Sequence, residues 1–213
     1  MKTAIVIGAS GLIGSHVTDL LLADSRYAQV RVLVRRSLKM PHPKLDEHIV
    51  DFRKISEQSE LLTGDDLFCC LGTTLKQAGS AEARRKIDRD LVIAVARAAE
   101  GRSRRFLVIS SVGADARAGN SYTRDKGEME QAVAALKFDA AIILQPSFFY
   151  GDRNENRIGE RIGIALAKLF NPVLGKYRAL PAETVARAMV SFANQPLQGT
   201  QRKGVGDMLA AAK

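Results

Sequence analysis

"TAIVIGASGLIGSHVTDLLLAD", residues 3–24, is the stretch on which the fold turns. Residues 3–8 form an apolar run closed by glycine, the pattern of a strand buried on both faces. Residues 12–24 carry apolar side chains at helical spacing. Between them Gly8, Gly11 and Gly14 stand three apart, GxxGxxG. A glycine turn between a strand and a helix is a phosphate cradle. Gly8 permits the tight turn, Gly11 lets a pyrophosphate approach the backbone, and Gly14 lets helix and strand pack closely. The free N–H groups at the helix start, around Leu12 and Ile13, face the phosphates. Without the flanking strand and helix the same glycines would read as a plain turn.

The alternation continues along the chain. Strands are expected at 28–36, 47–52, 65–72, 104–111 and 139–147, and helices at 80–101, 121–137, 157–170, 181–195 and 205–212. Strands alternating with helices predict an α/β fold, a doubly wound, mostly parallel sheet of the Rossmann type with a small C-terminal helical extension. The 213 residues suit a single domain, 1–213, in which 147–213 contributes a small substrate-side region and 151–180 lies over the cleft. Such sheets bind ligands beyond the carboxyl ends of their strands.

The second strand ends in Val34-Arg35-Arg36-Ser37, with no acidic residue to accept a ribose 2′-hydroxyl. A guanidinium forms charge-assisted bonds to a 2′-phosphate that a carboxylate would repel. The expected cofactor is therefore NADP(H), with Arg35 as first contact and Arg36 or Ser10 as secondary ones. A solvated arginine pair is the plainer alternative.

Composition sets limits. The net charge of +9 is spread over small groups at 34–37, 83–86 and 102–105, without interleaved aromatics, so nucleic acid ranks last among the partners. No apolar stretch reaches the roughly 18 residues a membrane span needs. Cys69 and Cys70 are adjacent in an apolar run and read as reduced core residues of a cytoplasmic protein. No Cys/His cluster suggests a metal site.

Tyr122 and Lys126 are i and i+4 on the 121–137 helix and share one face. A free phenol, with its pKa of about 10, is a poor acid or base at neutral pH, and a nearby ammonium lowers it. A hydroxyl from Ser111 can hold a carbonyl against the tyrosine. Taken alone, the pair reads as a wet helix face. Behind a glycine turn, an arginine-ended strand and the "ISS" strand end at 109–111, it reads as a catalytic pair.

The motifs GASGLIG (8–14), CCLGTT (69–74), KIDRDLV (86–92), ISSVGAD (109–115), YTRDKGEME (122–130) and FDAAIILQPSFFYGDR (138–153) resemble the atypical branch of the short-chain dehydrogenase/reductase superfamily, nearest the Tat-interacting-protein-like oxidoreductases. The resemblance implies that Leu71, Gly72, Thr73 and Thr74 lie along the cofactor's ribose and pyrophosphate. It implies that Asp51 accepts from the adenine amino group and that Ser110 or Ser111 is the catalytic serine. It places Pro146 and Ser147 beside the nicotinamide amide, and has Lys126 bind the nicotinamide ribose with Tyr122 next to it. The asparagine of the family's tetrad is missing, and Asp88 falls nearest; QPS stands where RPG or KPG is usual. The 80–100 and 121–137 helices offer a homodimer face, as in relatives.

Phe148, Phe149 and Tyr150 line either the cleft or the core, and Asp152, Arg153 and Arg157 are candidates to contact an anionic substrate. The expected function is hydride transfer between NADP(H) and a small carbonyl or alcohol, with Ser111, Tyr122 and Lys126 catalytic. The alternative is an NADP(H)-binding regulator acting on a protein partner. Epimerase or dehydratase chemistry fits such a short chain less well.

Overall fold

The computed structural model describes residues 1–151 and 177–213. The helix expected at 157–170, and Asp152, Arg153 and Arg157, lie outside them. The described chain runs β1 (Lys2–Ile7), α1 (Leu12–Ala23), β2 (Tyr27–Val34), β3 (Leu45–Ile49), a 3₁₀ segment (Phe52–Leu62), β4 (Gly64–Cys69), α2 (Leu75–Ala78), α3 (Ala81–Arg85), a π turn (Lys86–Leu91) and α4 (Val92–Ala99). It continues through β5 (Ser103–Ile109), α5 (Ser121–Ala134), β6 (Ala140–Leu144), β7 (Phe149–Tyr150), β8 (Leu180–Pro181), α6 (Ala182–Ala193), β9 (Gly199–Lys203) and α7 (Val205–Ala211).

One seven-stranded sheet is ordered β3-β2-β1-β4-β5-β6-β9, and every pair in it is parallel. Alternation along β1 explains the two layers. Ala4 and Val6 face one core with Val17, Leu21, Val185, Met189 and Met208, so α1, α6 and α7 cover that face. Ile5 and Ile7 face the other core with Val92, Val95, Met129 and Val133, so α4 and α5 cover the opposite one. Strands buried on both faces have no polar side to show, which is why they appear in the sequence as continuous apolar runs.

Two differences from the sequence expectation affect the site. The helix expected at 80–101 is interrupted: its i→i+4 ladder widens into a π turn over Lys86–Leu91, and Asp88, inside that turn, is buried. The seventh strand, β9, was not expected. Its GTQRK has no apolar residue, and it joins the sheet edge by backbone pairing with β6. The chain reverses its winding between β1 and β4, so the crevice of a doubly wound sheet opens past Ile7 and Cys69.

Candidate active site

The turn after β1 coils tightly around backbone. Gly8 has φ +86°, and a Cβ there would stand 2.7 Å from the Cys70 carbonyl oxygen. A Cβ on Gly14 would come within 2.0 Å of the Gly8 oxygen. Gly11 donates its N–H to that same oxygen at 2.9 Å, and its own Cβ would lie 3.1 Å away. The turn after β1 therefore touches the turn after β4, and neither Gly8 nor Gly14 has room for a side chain. α1 starts at Gly11 with no side-chain cap and no acidic residue in its first turn. The N–H groups of Leu12 and Ile13 precede the Ser15-to-Gly11 bond that opens the helical ladder. Ser10 is exposed on the turn. A turn too tight for a side chain at Gly8 or Gly14, below a helix start without a side-chain cap, fits a pyrophosphate.

Arg35 and Arg36 follow β2 directly, are exposed, and make no ion pair or hydrogen bond among the described residues. Asp51 follows β3 but is already engaged. It caps the 3₁₀ segment through the Arg53 N–H at 3.0 Å, and the Arg53 guanidinium reaches it at 2.8 Å. Those bonds hold its carboxyl down at about 2. An adenine amino group would share an acceptor with Arg53. After β4, Gly72 is exposed with open space where a Cβ would be, and Leu71 is half-buried. Thr73 gives its N–H to Asp88 at 2.8 Å.

The ends of β5 and α5 come together. Asn120 caps α5 by accepting the Tyr122 N–H at 2.8 Å. A Cβ on Gly127 would lie 2.2 Å from the Ala116 nitrogen, so that glycine lets α5 press onto the loop following Ser111. Ser110 and Ser111 are both buried, and their hydroxyls have separate partners. Ser110 donates to Glu130 at 2.5 Å. Ser111 donates to the Val112 carbonyl at 3.3 Å, and its hydroxyl is near enough to the Tyr122 phenol to favour the ionised form. Lys126 is buried and donates to the Ile109 carbonyl oxygen at 3.0 Å. Past β6, buried Pro146 accepts the Val112 N–H at 2.9 Å, tying the ends of β5 and β6, while Ser147 donates to the Arg178 carbonyl at 2.5 Å. Phe148 is exposed, and Phe149 pairs β7 to β8.

Charge at this site departs from the sequence expectation. Burial pushes the Tyr122 phenol up rather than down. The Ser111 hydrogen bond and the Arg84 charge oppose that rise, and Asp88 adds to it. Burial pushes the Lys126 ammonium down, and Asp88 is the leading charge that opposes this. Burial likewise pushes Asp88 up, against Lys126, the Thr73 N–H and Arg84. Lys126 is thus matched to Asp88, and the cation acting on the phenol is Arg84.

Glu130 and Arg84 were missed in the sequence. Glu130 is i+8 from Tyr122 and i+4 from Lys126, the same face, and a second charge on an inward face is a readable signal. Buried Glu130 accepts from Ser110, from Gln145 at 2.8 Å and from Arg202 at 2.8 Å, joining α5 to β5, β6 and β9. Arg84 lies four residues before Asp88.

The family model described as NAD(P)H-binding matches residues 8–196. The chain belongs to that family. It is 34% identical over 206 residues to Protein HTATIP2 of Rattus norvegicus, covering 93% of this chain and 84% of the relative. It is 34% identical to "Protein FMP52, mitochondrial" of Coccidioides immitis over 96% of this chain and 90% of that one. This NAD(P)H-binding protein is thus a member of the Tat-interacting-protein-like group of atypical short-chain dehydrogenase/reductases. Among solved structures it resembles MoeE5 in complex with UDP-glucose and NAD, with a TM-score of 0.69 at 16% identity, over 98% of this chain and 80% of that one. The Bordetella bronchiseptica enzyme WbmH in complex with NAD+ gives 0.66 at 19%, over 97% and 76%. Both likenesses are of fold.

Proposed function

We propose that this NAD(P)H-binding protein is an NADP(H)-dependent oxidoreductase acting on a small carbonyl or alcohol. The observation that carries the reading is buried Lys126, held on the Ile109 carbonyl at the carboxyl end of β5, one helical turn from Tyr122 and with buried Ser111 just past the same strand end. A bound nicotinamide supplies or accepts the hydride. Gly8, Ser10, Gly11, Leu12, Ile13 and Gly14 hold the pyrophosphate, and Arg35 with Arg36 takes the 2′-phosphate. In reduction Tyr122 gives its proton to the carbonyl oxygen, which Ser111 orients by hydrogen bonding; in oxidation Tyr122 takes the proton back. Ser110, held by Glu130, stays out of that step. Asp88 fixes the Thr73 N–H beside the ribose and opposes the fall in the Lys126 pKa that burial causes. Free Cys69 and Cys70 suit a reducing compartment, in our reading the cytoplasm.

The test has two arms. Titration with NADPH and NADH should show tighter binding of NADPH; equal or tighter NADH binding removes the NADP(H) assignment. Oxidation of NADPH across aldehydes and quinones should fall by about 10²-fold or more in Tyr122→Phe. Unchanged turnover in that variant removes the proton-transfer role.

A second reading, an NADP(H)-binding regulator with little turnover, is favoured by one observation. Burial pushes the Tyr122 phenol up, away from the neutral range in which a general acid or base works best. Tight NADPH binding with no turnover on any substrate would support it.

A further inference from the structure

Arg84 is a mostly covered arginine whose polar contacts are long. Its side chain is 11% exposed, and its guanidinium carbon lies 5.1 Å from the centre of the Tyr122 ring. One nitrogen reaches the Ser121 hydroxyl at 3.3 Å. Its carboxylate, Asp125, is 3.7 Å away and is shared with Arg85 at 3.6 Å. The Arg84 Nε is buried with no hydrogen-bond partner among the described residues. A stabilising ion pair would be close and fully hydrogen-bonded; a buried donor without an acceptor is destabilising. The best-placed partner of this guanidinium is the face of the Tyr122 ring.

We propose that Arg84 is a positioning residue for Tyr122: its guanidinium packs on the ring, fixes the phenol against Ser111, and supplies the cation facing that ring when the phenol gives up its proton. The inference rests on the reading of Tyr122 as the proton donor. A cation over an aromatic face is held by the ring's quadrupole, and the attraction grows once the ring carries a full negative charge.

The surrounding charges leave this task to Arg84. From the π turn, Asp88 opposes ionisation of the phenol. From β5, the Ser111 hydroxyl favours it. On α5 itself, Lys126 donates to the Ile109 carbonyl and is matched to Asp88, and Asp125 is taken up by Arg84 and Arg85. From β4, buried Cys69 stays protonated, its thiol pushed up to about 12. Glu128 is paired with Arg89.

The fold offers an internal contrast. Tyr27, at the other end of the sheet, also has a cation over its ring, Lys2 at 5.4 Å. Its hydroxyl, however, is buried and donates to the Asp66 carboxylate at 2.8 Å, and burial together with that negative charge keeps it a phenol. Tyr122 has no carboxylate bonded to its phenol among the described residues, and the nearby Ser111 hydroxyl favours its ionised form.

The chain has four tyrosines and no tryptophan, so tyrosinate formation can be read directly from near-ultraviolet absorbance. The experiment is a stopped-flow pH jump on the full chain without ligand, read before unfolding, with the Tyr122→Phe trace subtracted to isolate Tyr122. Arg84→Met and Arg84→Gln both remove the charge, one keeping the apolar stem and the other a planar polar group. Each should move the Tyr122 step up by about one pH unit. Arg84→Lys should restore most of the shift. A step at the wild-type pH in whichever charge-removing variant folds overturns the proposal, as does an Arg84→Lys step as displaced as theirs. The readout needs no turnover. A protein inactive on every carbonyl can still show the shift, and an active one can lack it, so failure here is distinct from failure of the oxidoreductase reading.

Discussion

At the amino ends of the strands Asp66 is fully buried and accepts from Lys2 at 3.0 Å, Tyr27 at 2.8 Å and Arg105 at 3.1 Å. At the carboxyl ends Asp88 is almost as buried and accepts one N–H, from Thr73. The tyrosines divide in the same way. The Tyr27 hydroxyl lies between Asp66 and Asn194, which donates to it at 3.2 Å, whereas among the described residues the Tyr122 phenol has the Ser111 hydroxyl near it and no carboxylate bonded to it. Buried polar groups are tolerable when every partner is present. The amino end comes nearer to that condition, although the buried Arg105 Nε has no acceptor among the described residues, and it acts as a clamp. The carboxyl end falls short of it, and strained electrostatics of this kind gather where chemistry or binding takes place. The difference teaches where to look: both ends bury charge, but the carboxyl end gives its carboxylate fewer donors.

Mutation can break the comparison, and the largest effect belongs to the amino end. Asp66→Ala strips a carboxylate from Lys2, Tyr27 and Arg105 and should lower unfolding stability by about 3–5 kcal/mol, read by urea denaturation. NADPH affinity of the folded fraction should stay at the wild-type value, since no expected cofactor contact lies at that end. A parallel loss of affinity would mean the two ends are coupled.

Next are the tyrosines. Tyr27→Phe leaves Asp66 a donor short and Asn194 an acceptor short, and should destabilise by about 1–2 kcal/mol. Tyr122→Phe, losing one hydroxyl contact, should shift the urea midpoint less than Tyr27→Phe does. The reverse order would show the carboxyl end to be the better satisfied.

Asp88→Asn should have the smallest effect on stability, with a sign set by pH. Folding raises the Asp88 pKa above its ordinary 3.8, so its contribution is complete below that pH and is lost as pH rises through the folded value. Asparagine cannot ionise and escapes that loss. The variant should therefore gain on wild type from acid toward neutral pH, in urea midpoints measured at both. A wild type that gains instead would mean that the pairing with Lys126 outweighs burial.

Much of this was legible in the chain. The glycine turn is readable because its constraint is local: three glycines, a strand before and a helix after. Tyr122 and Lys126 are readable because i and i+4 share a helix face. The sheet's strands are readable where burial on both faces makes them apolar, and β9 is not, because an edge strand of Gly-Thr-Gln-Arg-Lys joins by backbone pairing alone. The π turn is hidden because widening one turn leaves the apolar period of the flanking helix intact.

By itself the sequence determined the phosphate cradle, the two-layered parallel sheet and the face on which Tyr122 and Lys126 meet. These follow from periodicity and from where a Cβ can fit, both properties of neighbours along the chain. Only the tertiary structure decided that Ser110 belongs to Glu130 and leaves Ser111 as the serine near Tyr122, that Lys126 answers to Asp88, and that Arg84 covers the phenol's ring. Partners of buried charges are chosen across elements far apart in sequence. Their pKa values depend on how much water the whole packing removes, which no local pattern records.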